Sequence, residues 1–277
     1  MLTAFPPEPF SGREAAGVSV GCPPCDPGGL WEPCDGTVPD SEARPTTHDQ
    51  VAMMVQAGIT CTTLDTGGTP AELYGPQAQA LLDVVQHGLI AQEFWVGAQA
   101  RSAANASANR FLADSTSTDL NGGELTSAVN ALAALETQAA SMASGGCGQH
   151  GQLVIHASPA TVTVWAHLNL LIPQPTFLVT YAGSIVVTGP GYDGSGPSVD
   201  GTEDGPAATD SRAWAYLTDV PLVRLGPVEL FVEPRETVER DLNDVIVWAR
   251  RSAIVTFCAC CHANVEVDLC DALCVGS

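Results

Sequence analysis

The fold is decided by the stretch Leu153-Val154-Ile155-His156-Ala157-Ser158-Pro159 and by the elements that follow it up to residue 269. Its first four residues form a short apolar run, which is typical of a buried strand. Ser158 is a good N-cap and Pro159 a good first helical residue. The stretch therefore predicts a strand over 152–156 and a short helix over 159–171 that carries Val162, Trp165 and Leu168.

The chain after this helix predicts a series of short strands around one long loop. Two strands are expected at Phe177–Tyr181 and Ile185–Thr188, and the Gly-, Pro- and Asp-rich residues 189–212 predict a long exposed loop. Alternation of apolar residues then predicts strands at 214–218, 222–225, 228–232, 245–257 and 263–269.

The N-terminal half predicts an arm, a hairpin and two helices. Residues 1–46 are rich in proline and read as an extended arm, and 50–65 read as a hairpin with a turn near Ala57-Gly58.

The first helix is expected over 76–97, with Pro76 in its first turn and a stripe of Leu82, Val85, Leu89 and Val96 that is widened by Leu81, Ile90 and Phe94. The second is expected from Glu124 to Ala143, with Leu125, Val129, Leu132, Ala139 and Met142 on one face and Gly145-Gly146 after it. Helices and strands without a regular βαβ repeat indicate an α+β fold.

The charge of the chain excludes several classes of function. Its 277 residues carry 10 basic and 31 acidic side chains, a net charge of −21, and every basic residue is Arg. Without Lys there can be no Walker A loop, no Schiff-base enzyme and no kinase-type lysine. The acidic balance also argues against tight binding of nucleic acid, which depends on neutralised phosphates.

The N-terminal residues predict no export of the protein. Met1 to Pro7 lack the basic start and apolar core of a signal peptide, and no run approaches the roughly 20 apolar residues of a membrane helix. We therefore expect a protein made and kept in a cytoplasm, without a membrane partner.

Ten cysteines are the most unusual feature of the composition. In a reducing cytoplasm we expect free thiols or metal ligands rather than a disulfide framework. A zinc site is one alternative, and its candidate ligands are Cys22, Cys25, Cys34, Cys258, Cys260, Cys261 and His262. The other alternative is structural thiols or contacts between subunits, which the absence of a second C-x2-C or an H-x3-H favours.

The residues around Cys258 predict a core strand rather than a catalytic site. Cys258, Cys260 and His262 would alternate onto one face of a strand, with Cys261 on the other. The acidic residues 200–205 half-resemble a calcium loop, but position twelve is Ser211 and not Glu, so a solvated loop is expected. His156 and His167 read as hydrogen-bonding residues without a role. With no catalytic motif in the sequence, we expect neither an enzyme nor a cofactor.

The order of these elements resembles the major capsid protein fold of tailed bacteriophages, which encapsulin shells share. The likeness covers residues 46–269 and lies in topology and local pattern. Leu153 to Pro159 followed by Trp165 is similar to the family's strand-turn-helix, and Ala182 to Val187 to its strand of Gly-x-Pro-Val-Val type, with Ile185 in place of Pro. Trp214–Thr218 resembles the strand where the chain crosses back, and Asp244–Val255, with Arg250 and Arg251, the long strand that returns to the peripheral domain.

The resemblance implies a division of the chain into five parts. They are an extended N-terminal arm (1–46), an extended hairpin loop (47–70), a peripheral domain with a spine helix (71–122), an axial domain (123–243), and return strands with a Cys-rich tail (244–277). Some members of the family weld their shells by a Lys–Asn bond, which a chain without Lys cannot form.

The resemblance also implies the function and the partners. The expected function is self-assembly, as hexamers and pentamers, into an icosahedral capsid that encloses double-stranded DNA without binding it specifically. Scaffold, portal and decoration proteins are candidate partners, and the expected location is the virion capsid after assembly in the host cytoplasm. The alternatives are an encapsulin-type shell around a protein cargo, a Cys-rich metal-binding protein, and another phage component such as a tail or connector protein.

Overall fold

The structure is a computed structural model, and it describes residues 8–9, 18–22, 46–50, 52–62, 69–101, 109–144, 152–198, 203–234, 244–258 and 261–270. The helices in these residues are α1 (Pro70–Val96), α2 (Ala128–Ser144) and α3 (Pro159–His167). The strands are β1 (Glu8–Pro9), β2 (Val18–Cys22), β3 (Thr46–Gln50), β4 (Met53–Thr62), β5 (Thr118–Asp119), β6 (Thr126–Ser127), β7 (Leu153–Ala157), β8 (Leu171–Pro173), β9 (Leu178–Thr180), β10 (Ile185–Val187), β11 (Arg212–Asp219), β12 (Leu222–Leu225), β13 (Glu229–Pro234), β14 (Asp244–Thr256) and β15 (Ala263–Asp268).

Two sheets carry most of these strands. In the five-stranded sheet, β14 pairs with β4 along one edge and with β12 and β13 along the other, and β1 adds to β12. In the eight-stranded sheet the order is β5-β15-β11-β7-β10-β9-β8, with β6 beside β15. The mixed architecture confirms the predicted α+β class.

The first helix begins earlier than the sequence pattern predicts. Thr69 and Glu72 form a reciprocal capping box, so α1 starts at Pro70 and Pro76 lies inside the helix rather than in its first turn. Gly97 ends the helix with φ 70°, and a Cβ there would meet the ring of Phe111 at 2.3 Å.

The predicted turn near Ala57-Gly58 is wrong. β4 runs through both residues and pairs with β14 over ten positions, from Met53 to Thr62. Gly58 is needed here for close packing and not for a turn, because the indole of Trp248 lies directly over it.

The proline-rich N-terminal region contains strands that its composition does not predict. Glu8 and Pro9 pair with Arg224 and Leu225 of β12. β2 and β3 form a separate two-stranded antiparallel sheet. The assignment of residues 1–46 as an extended arm stays a prediction, and its described residues include β1 and β2.

The strand-turn-helix of the opening stretch is confirmed. The side chain of Ser158 accepts a hydrogen bond from the Thr161 N–H, and Pro159 follows as the first helical residue. The helix ends at His167 rather than at 171. Trp165 is fully buried and donates from Nε1 to the carbonyl of Ala128 at 2.9 Å, which joins α3 to the start of α2.

Two of the five residues assigned to the buried face of α2 lie outside it. Leu125 is 48% exposed and Val129 is 49% exposed, whereas Leu132, Ala139 and Met142 are buried. The helix begins at Ala128, after β6, so its core-facing stripe starts one turn later than predicted.

The predicted exposed loop over 189–212 is largely buried over 191–198, whereas residues 203–212 are mostly exposed as predicted. Tyr192 is 2% exposed and Ser195 9% exposed. A Cβ on Gly191 would meet the backbone of α1 at 2.3 Å, so the loop approaches the helix closely. The glycines here serve close packing rather than solvent exposure.

The described residues form two hydrophobic cores, and the eight-stranded sheet contributes one face to each. One core joins α1, the five-stranded sheet and one face of the eight-stranded sheet. The other lies between α2, α3 and the opposite face of the eight-stranded sheet. Alternate residues of β7 divide between them, with Val154 in the first core and Ile155 in the second.

Candidate functional site at the junction of two sheets

The buried loop after β10 joins the end of α1 to β11. Trp95 donates from Nε1 to the carbonyl and hydroxyl oxygens of Ser195, at 3.2 Å and 3.1 Å. Tyr216 donates its hydroxyl to the same carbonyl at 3.0 Å. Because the ring nitrogen of Trp95 and the hydroxyl of Tyr216 meet a single buried peptide group, this loop fixes the helix against the sheet.

His156 is the centre of a directional chain of hydrogen bonds. The Thr218 hydroxyl donates to the carbonyl of Asp219 at 2.7 Å, so its oxygen accepts from Nε2 of His156 at 2.9 Å. Nδ1 of His156 then accepts from the Tyr192 hydroxyl at 2.9 Å. The hydrogen bonds thus assign the tautomer, and the expectation of a satisfied structural histidine is confirmed.

Burial keeps this histidine neutral. His156 is fully buried, and this lowers its pKa to about 3. Burial also raises the pKa of Tyr192. The cluster therefore holds no charge at neutral pH and acts as a rigid polar core.

His262 is likewise a structural residue. Its Nε2 donates to the carbonyl of Leu112 at 2.9 Å, which ties the start of β15 to the segment after α1. Burial lowers the pKa of His262 to about 4. This hydrogen bond occupies Nε2 and leaves Nδ1 as the unprotonated nitrogen of the neutral ring.

The prediction that Cys258, Cys261 and His262 lie in one strand is wrong, and the third cysteine of that pattern, Cys260, falls outside the described residues. β14 ends at Thr256, and the N–H of Cys261 donates to the carbonyl of Cys258 at 3.1 Å, which forms a turn. The chain must turn here because it leaves one sheet and enters the other. Both cysteines are nonetheless buried in the second core, as the core interpretation expects.

The cysteines at this turn also correct the expectation of free thiols. Cys258 and Cys261 are each in a disulfide bond, and a disulfide sulfur is not a thiolate ligand. Cys22 lies in β2, while Cys25, Cys34 and Cys260 fall outside the described residues. The part of the chain that the structure describes contains no cluster of His, Cys, Asp or Glu arranged to hold a metal.

The outer face of the five-stranded sheet exposes apolar side chains. Phe231 is 46% exposed and lies across the ladder from Trp248, which faces Gly58 on the next strand. Arg250 packs over the ring of Phe231 at 5.6 Å and pairs with Glu229 at 3.1 Å. This apolar row, with an ion pair beside it, has the composition of an interface centre and rim.

The outer side of α1 exposes a second apolar row. Leu73 is 40% exposed, Leu81 39% and Val84 76%. The helix buries Leu82, Ile90 and Phe94 as predicted, but Leu81, which was predicted to widen the same stripe, is exposed. Leu89 is also 40% exposed, although it was placed in the buried stripe.

A rigid turn presents one exposed aromatic residue. Tyr181 is 73% exposed in the turn between β9 and β10. Glu136 on α2 holds this turn, since its carboxylate accepts hydrogen bonds from the hydroxyls of Ser184, at 2.8 Å, and Thr180. An aromatic side chain on a fixed support is suited to making a contact with another molecule.

The sequence pattern could not single out Ser195, Asp219 or Glu136. Each lies at a strand end, in a loop or on a helix surface, and its role depends on a partner at least 39 residues away. The sequence does offer one indication of such contacts, because buried Trp and Tyr residues, here Trp95 and Tyr216, require hydrogen-bond partners for their polar atoms.

Comparison with known proteins identifies the fold through structure alone. No protein-family model matches the chain, and no curated protein matches its sequence. Among solved structures, the chain is similar to the capsid of a native GTA particle, with a TM-score of 0.50 and 11% identity, over 96% of this chain and 89% of that one. It is also similar to the capsid of Ralstonia phage GP4, with a TM-score of 0.50 and 11% identity, over 95% and 86% of the two chains.

A shell protein of a different kind is also similar. The encapsulin of Synechococcus elongatus has a TM-score of 0.48 and 8% identity, over 84% of this chain and 81% of that one. Among the described residues, no helix is long and apolar enough to cross a bilayer. With its two sheets, its long capped helix and its near-complete overlap with two capsid subunits, the chain has the major-capsid-protein fold of tailed bacteriophages.

Proposed function

We propose that this chain is the structural subunit of an icosahedral capsid that encloses the double-stranded DNA of a tailed phage. One observation carries the proposal. The same fold extends over 96% of this chain and 89% of a capsid subunit, so the match includes both sheets and not one shared motif.

The exposed apolar residues support contacts between copies of the chain. They lie on the outer face of one sheet, on the outer side of α1 and at the β9–β10 turn, as exemplified by Phe231, Val84 and Tyr181. Clusters of exposed apolar side chains mark interaction sites. A closed shell needs several different contact surfaces on each subunit, because its contacts join unlike patches.

The parts of the subunit can be proposed from the strand pairing. The five-stranded sheet with α1 is the peripheral domain, and the eight-stranded sheet with α2 and α3 is the axial domain. We assign the extended hairpin to β2 and β3 rather than to residues 47–70, because β4 belongs to the peripheral sheet. The arm then precedes Val18.

The net negative charge of the chain fits a capsid that encloses DNA without binding it tightly. A net charge of −21 repels phosphates and leaves packaged DNA mobile. Assembly as hexamers and pentamers in the host cytoplasm, with scaffold, portal and decoration proteins as further partners, is part of the same proposal. The subunit needs no catalytic residue or cofactor for this role.

Negative-stain microscopy of the purified full-length chain after size-exclusion chromatography tests the proposal. We expect closed particles tens of nanometres across in the void fraction. The particles are then opened and their contents identified, since double-stranded DNA supports the capsid and a single protein cargo supports the encapsulin alternative. A stable monomer carrying stoichiometric zinc would support a metal-binding protein instead.

A further inference from the structure

The strand β4 has one side that no other described strand pairs with. It lies at the edge of the five-stranded sheet, and among the described strands it pairs with β14. In an antiparallel ladder, successive residues turn their N–H and C=O groups alternately to the two sides of the strand. Every second residue of β4 therefore turns its backbone groups away from β14.

The side chain of Gln99 shows which residues these are. It accepts a hydrogen bond from the N–H of Met54 at 3.3 Å and donates one to the carbonyl of Met54 at 3.4 Å. Both groups of Met54 thus point away from β14, and by the same alternation so do those of Gln56, Gly58 and Thr60. Gln99 covers one end of this edge in the way that a neighbouring strand would.

The opposite side of β14 gives the same alternation. Ser252 lies across the ladder from Met54, and its carbonyl accepts a hydrogen bond from the N–H of Gly226, beyond the far side of β14. Ser252 therefore turns its carbonyl away from β4, as a residue in a pair without interstrand hydrogen bonds does. Its counterpart Met54 must then face outward as well.

This edge lacks the features that usually keep edge strands apart. Natural edge strands are protected by charged side chains, prolines or bulges. β4 has the sequence MMVQAGITCT, which contains neither a charged residue nor a proline, and its ladder with β14 is uninterrupted. Gln56 and Thr60 are exposed and Gly58 is partly exposed, so a further strand can reach their backbone groups.

We propose that β4 pairs edge to edge with β4 of a second copy of the chain, in an antiparallel ladder that joins two five-stranded sheets into one. The proposal names one contact between copies and therefore rests on the proposed shell function. Such a contact is isologous, with a two-fold axis through the centre of the ladder.

The sequence of β4 is complementary to itself in this arrangement. Two open edges pair when their outward-facing residues lie opposite one another. With the axis at Ile59, Gln56 lies opposite Thr62 of the second copy, and Gly58 lies opposite Thr60. The two Ile59 side chains then meet on the inner face, where each packs against the first core of its own subunit.

The charge of the chain favours an uncharged strand as the meeting point of two copies. A net charge of −21 makes most surfaces of two copies repel each other, whereas the pairing of β4 with itself places no like charges opposite each other. The joined sheet also continues the apolar outer face around Trp248 and Phe231. The ladder and the contact surface proposed on that face thus form one interface.

Amide exchange resolved to single residues tests the pairing on the full-length chain, in particles and in dissociated subunits. We expect the amides of Gly58 and Thr60 to exchange about 10-fold or more slowly in particles. The amides of Ala57 and Ile59 face β14 and should be protected in both states. Equal exchange of Gly58 and Thr60 in both states overturns the pairing and leaves the shell function standing.

The absence of particles would instead count against the shell function. The pairing then predicts a dimer of the soluble chain in analytical ultracentrifugation, and a monomer overturns the pairing too.

The variant Thr60→Pro removes an outward N–H group that the ladder with β14 does not use. We expect a folded subunit whose yield of particles falls about 10-fold or more, whereas the matched control Thr60→Val keeps the N–H and should assemble as the original chain does. Normal particles from Thr60→Pro overturn the pairing. If this variant does not fold, the amide exchange of the original chain still decides.

Cross-linking identifies the strand that covers the edge. A photoreactive benzoylphenylalanine replaces Gln56, which is exposed, and particles are assembled from equal amounts of normal chains and chains labelled with heavy nitrogen. We expect cross-links between peptides of different label that both contain residues of β4. Cross-links within single copies, or to a segment other than β4, overturn the proposal.

Discussion

The indole of Trp248 lies over Gly58 on the neighbouring strand, and a Cβ added to Gly58 would be 2.5 Å from Cε3 of that ring. The two residues are directly opposite in the ladder between β4 and β14. This contact explains why a glycine interrupts a strand of otherwise larger residues. It also places the indole in the middle of the outer sheet face that we propose as a contact surface.

Replacing Gly58 should disturb this packing. We expect Gly58→Ala to lower the free energy of unfolding by about 1–3 kcal/mol, because the new methyl group displaces the indole. Chemical denaturation gives the measurement. The control is Gly88→Ala in α1, where a Cβ has an ordinary contact at 3.7 Å and should stabilise the helix by about 0.5–1 kcal/mol. Equal effects of the two substitutions would contradict the role of Trp248.

The hydrogen-bond chain through His156 should behave as one unit. Tyr192→Phe leaves Nδ1 of His156 without its donor, and we expect a loss of about 1–3 kcal/mol in the free energy of unfolding. A double-mutant cycle with Thr218→Val should show coupling of about 0.5 kcal/mol or more. The exposed control Tyr181→Phe should change the stability by less than about 0.5 kcal/mol. Additive effects of the two buried substitutions would argue against a shared chain.

Stability should depend on pH through two buried histidines and one buried acid. The pKa of His156 is about 3 and that of His262 about 4, both below the ordinary value of 6.5, so their contribution is lost as the pH falls from about 6.5 towards 3. The pKa of Asp219 is raised from 3.8 to about 7, so its contribution is lost as the pH rises through that range. The histidines and the acid therefore act in opposite directions.

Asp219→Asn separates these contributions. Between pH 4.5 and 6.5 the original chain takes up one proton at Asp219 when it folds, so its free energy of unfolding falls by about 1.4 kcal/mol per pH unit from this source. The variant lacks this proton uptake, so its free energy of unfolding should rise relative to that of the original chain by the same amount per pH unit. Urea denaturation at several pH values measures the difference. Parallel stability curves for the two proteins would show that Asp219 does not titrate as assigned.

Glu136 should fix the turn that carries Tyr181. In Glu136→Gln the amide nitrogen cannot accept a hydrogen bond from a hydroxyl group, so one of the two hydrogen bonds from Thr180 and Ser184 is lost. We expect a loss of about 1–2 kcal/mol in the free energy of unfolding and faster amide exchange at Ser184. The exposed control Glu124→Gln should leave both unchanged, and unchanged exchange at Ser184 in Glu136→Gln would contradict this role of Glu136.

The sequence predicts the elements best where the signal is local. The cap formed by Ser158 and Pro159 marks the start of α3, and alternation locates β11 to β15 to within about two residues. The errors arise where a distant partner decides the structure. The sequence pattern predicts a turn at Gly58 because the residue that packs on it, Trp248, is 190 residues away. It predicts that residues 191–198 are exposed because their partners, Trp95 and Tyr216, are distant in the sequence.

The contacts at the junction between the sheets could not be predicted from the sequence, because they too join residues that are distant along the chain. Asp219 is an ordinary acid at the end of a strand until the chain brings Cys258 beside it. Cys258 and Cys261 read as strand residues because the crossing between sheets has no local pattern. Composition constrains the function without any structure, since a chain without Lys cannot belong to the enzyme classes that require a lysine amine.

The proposed contact surface on α1 can be tested separately from folding. Val84 is 76% exposed, so Val84→Asp should change the free energy of unfolding by less than about 0.5 kcal/mol. If this surface meets another copy, the variant should remain a folded subunit that forms few or no particles. The control is Gln79→Asp, which places the same new charge at an exposed position on another side of the helix and should leave particle formation unchanged. Normal particles from Val84→Asp would remove this surface from the account.

Cryo-electron microscopy of the purified particles can show whether copies of this chain close into an icosahedral shell. We expect an icosahedral reconstruction in which five-fold and six-fold clusters are built from this one fold, with the five-stranded and eight-stranded sheets in every subunit. A homogeneous 28.6 kDa monomer that forms no particles, or a particle built without these two sheets, would contradict it.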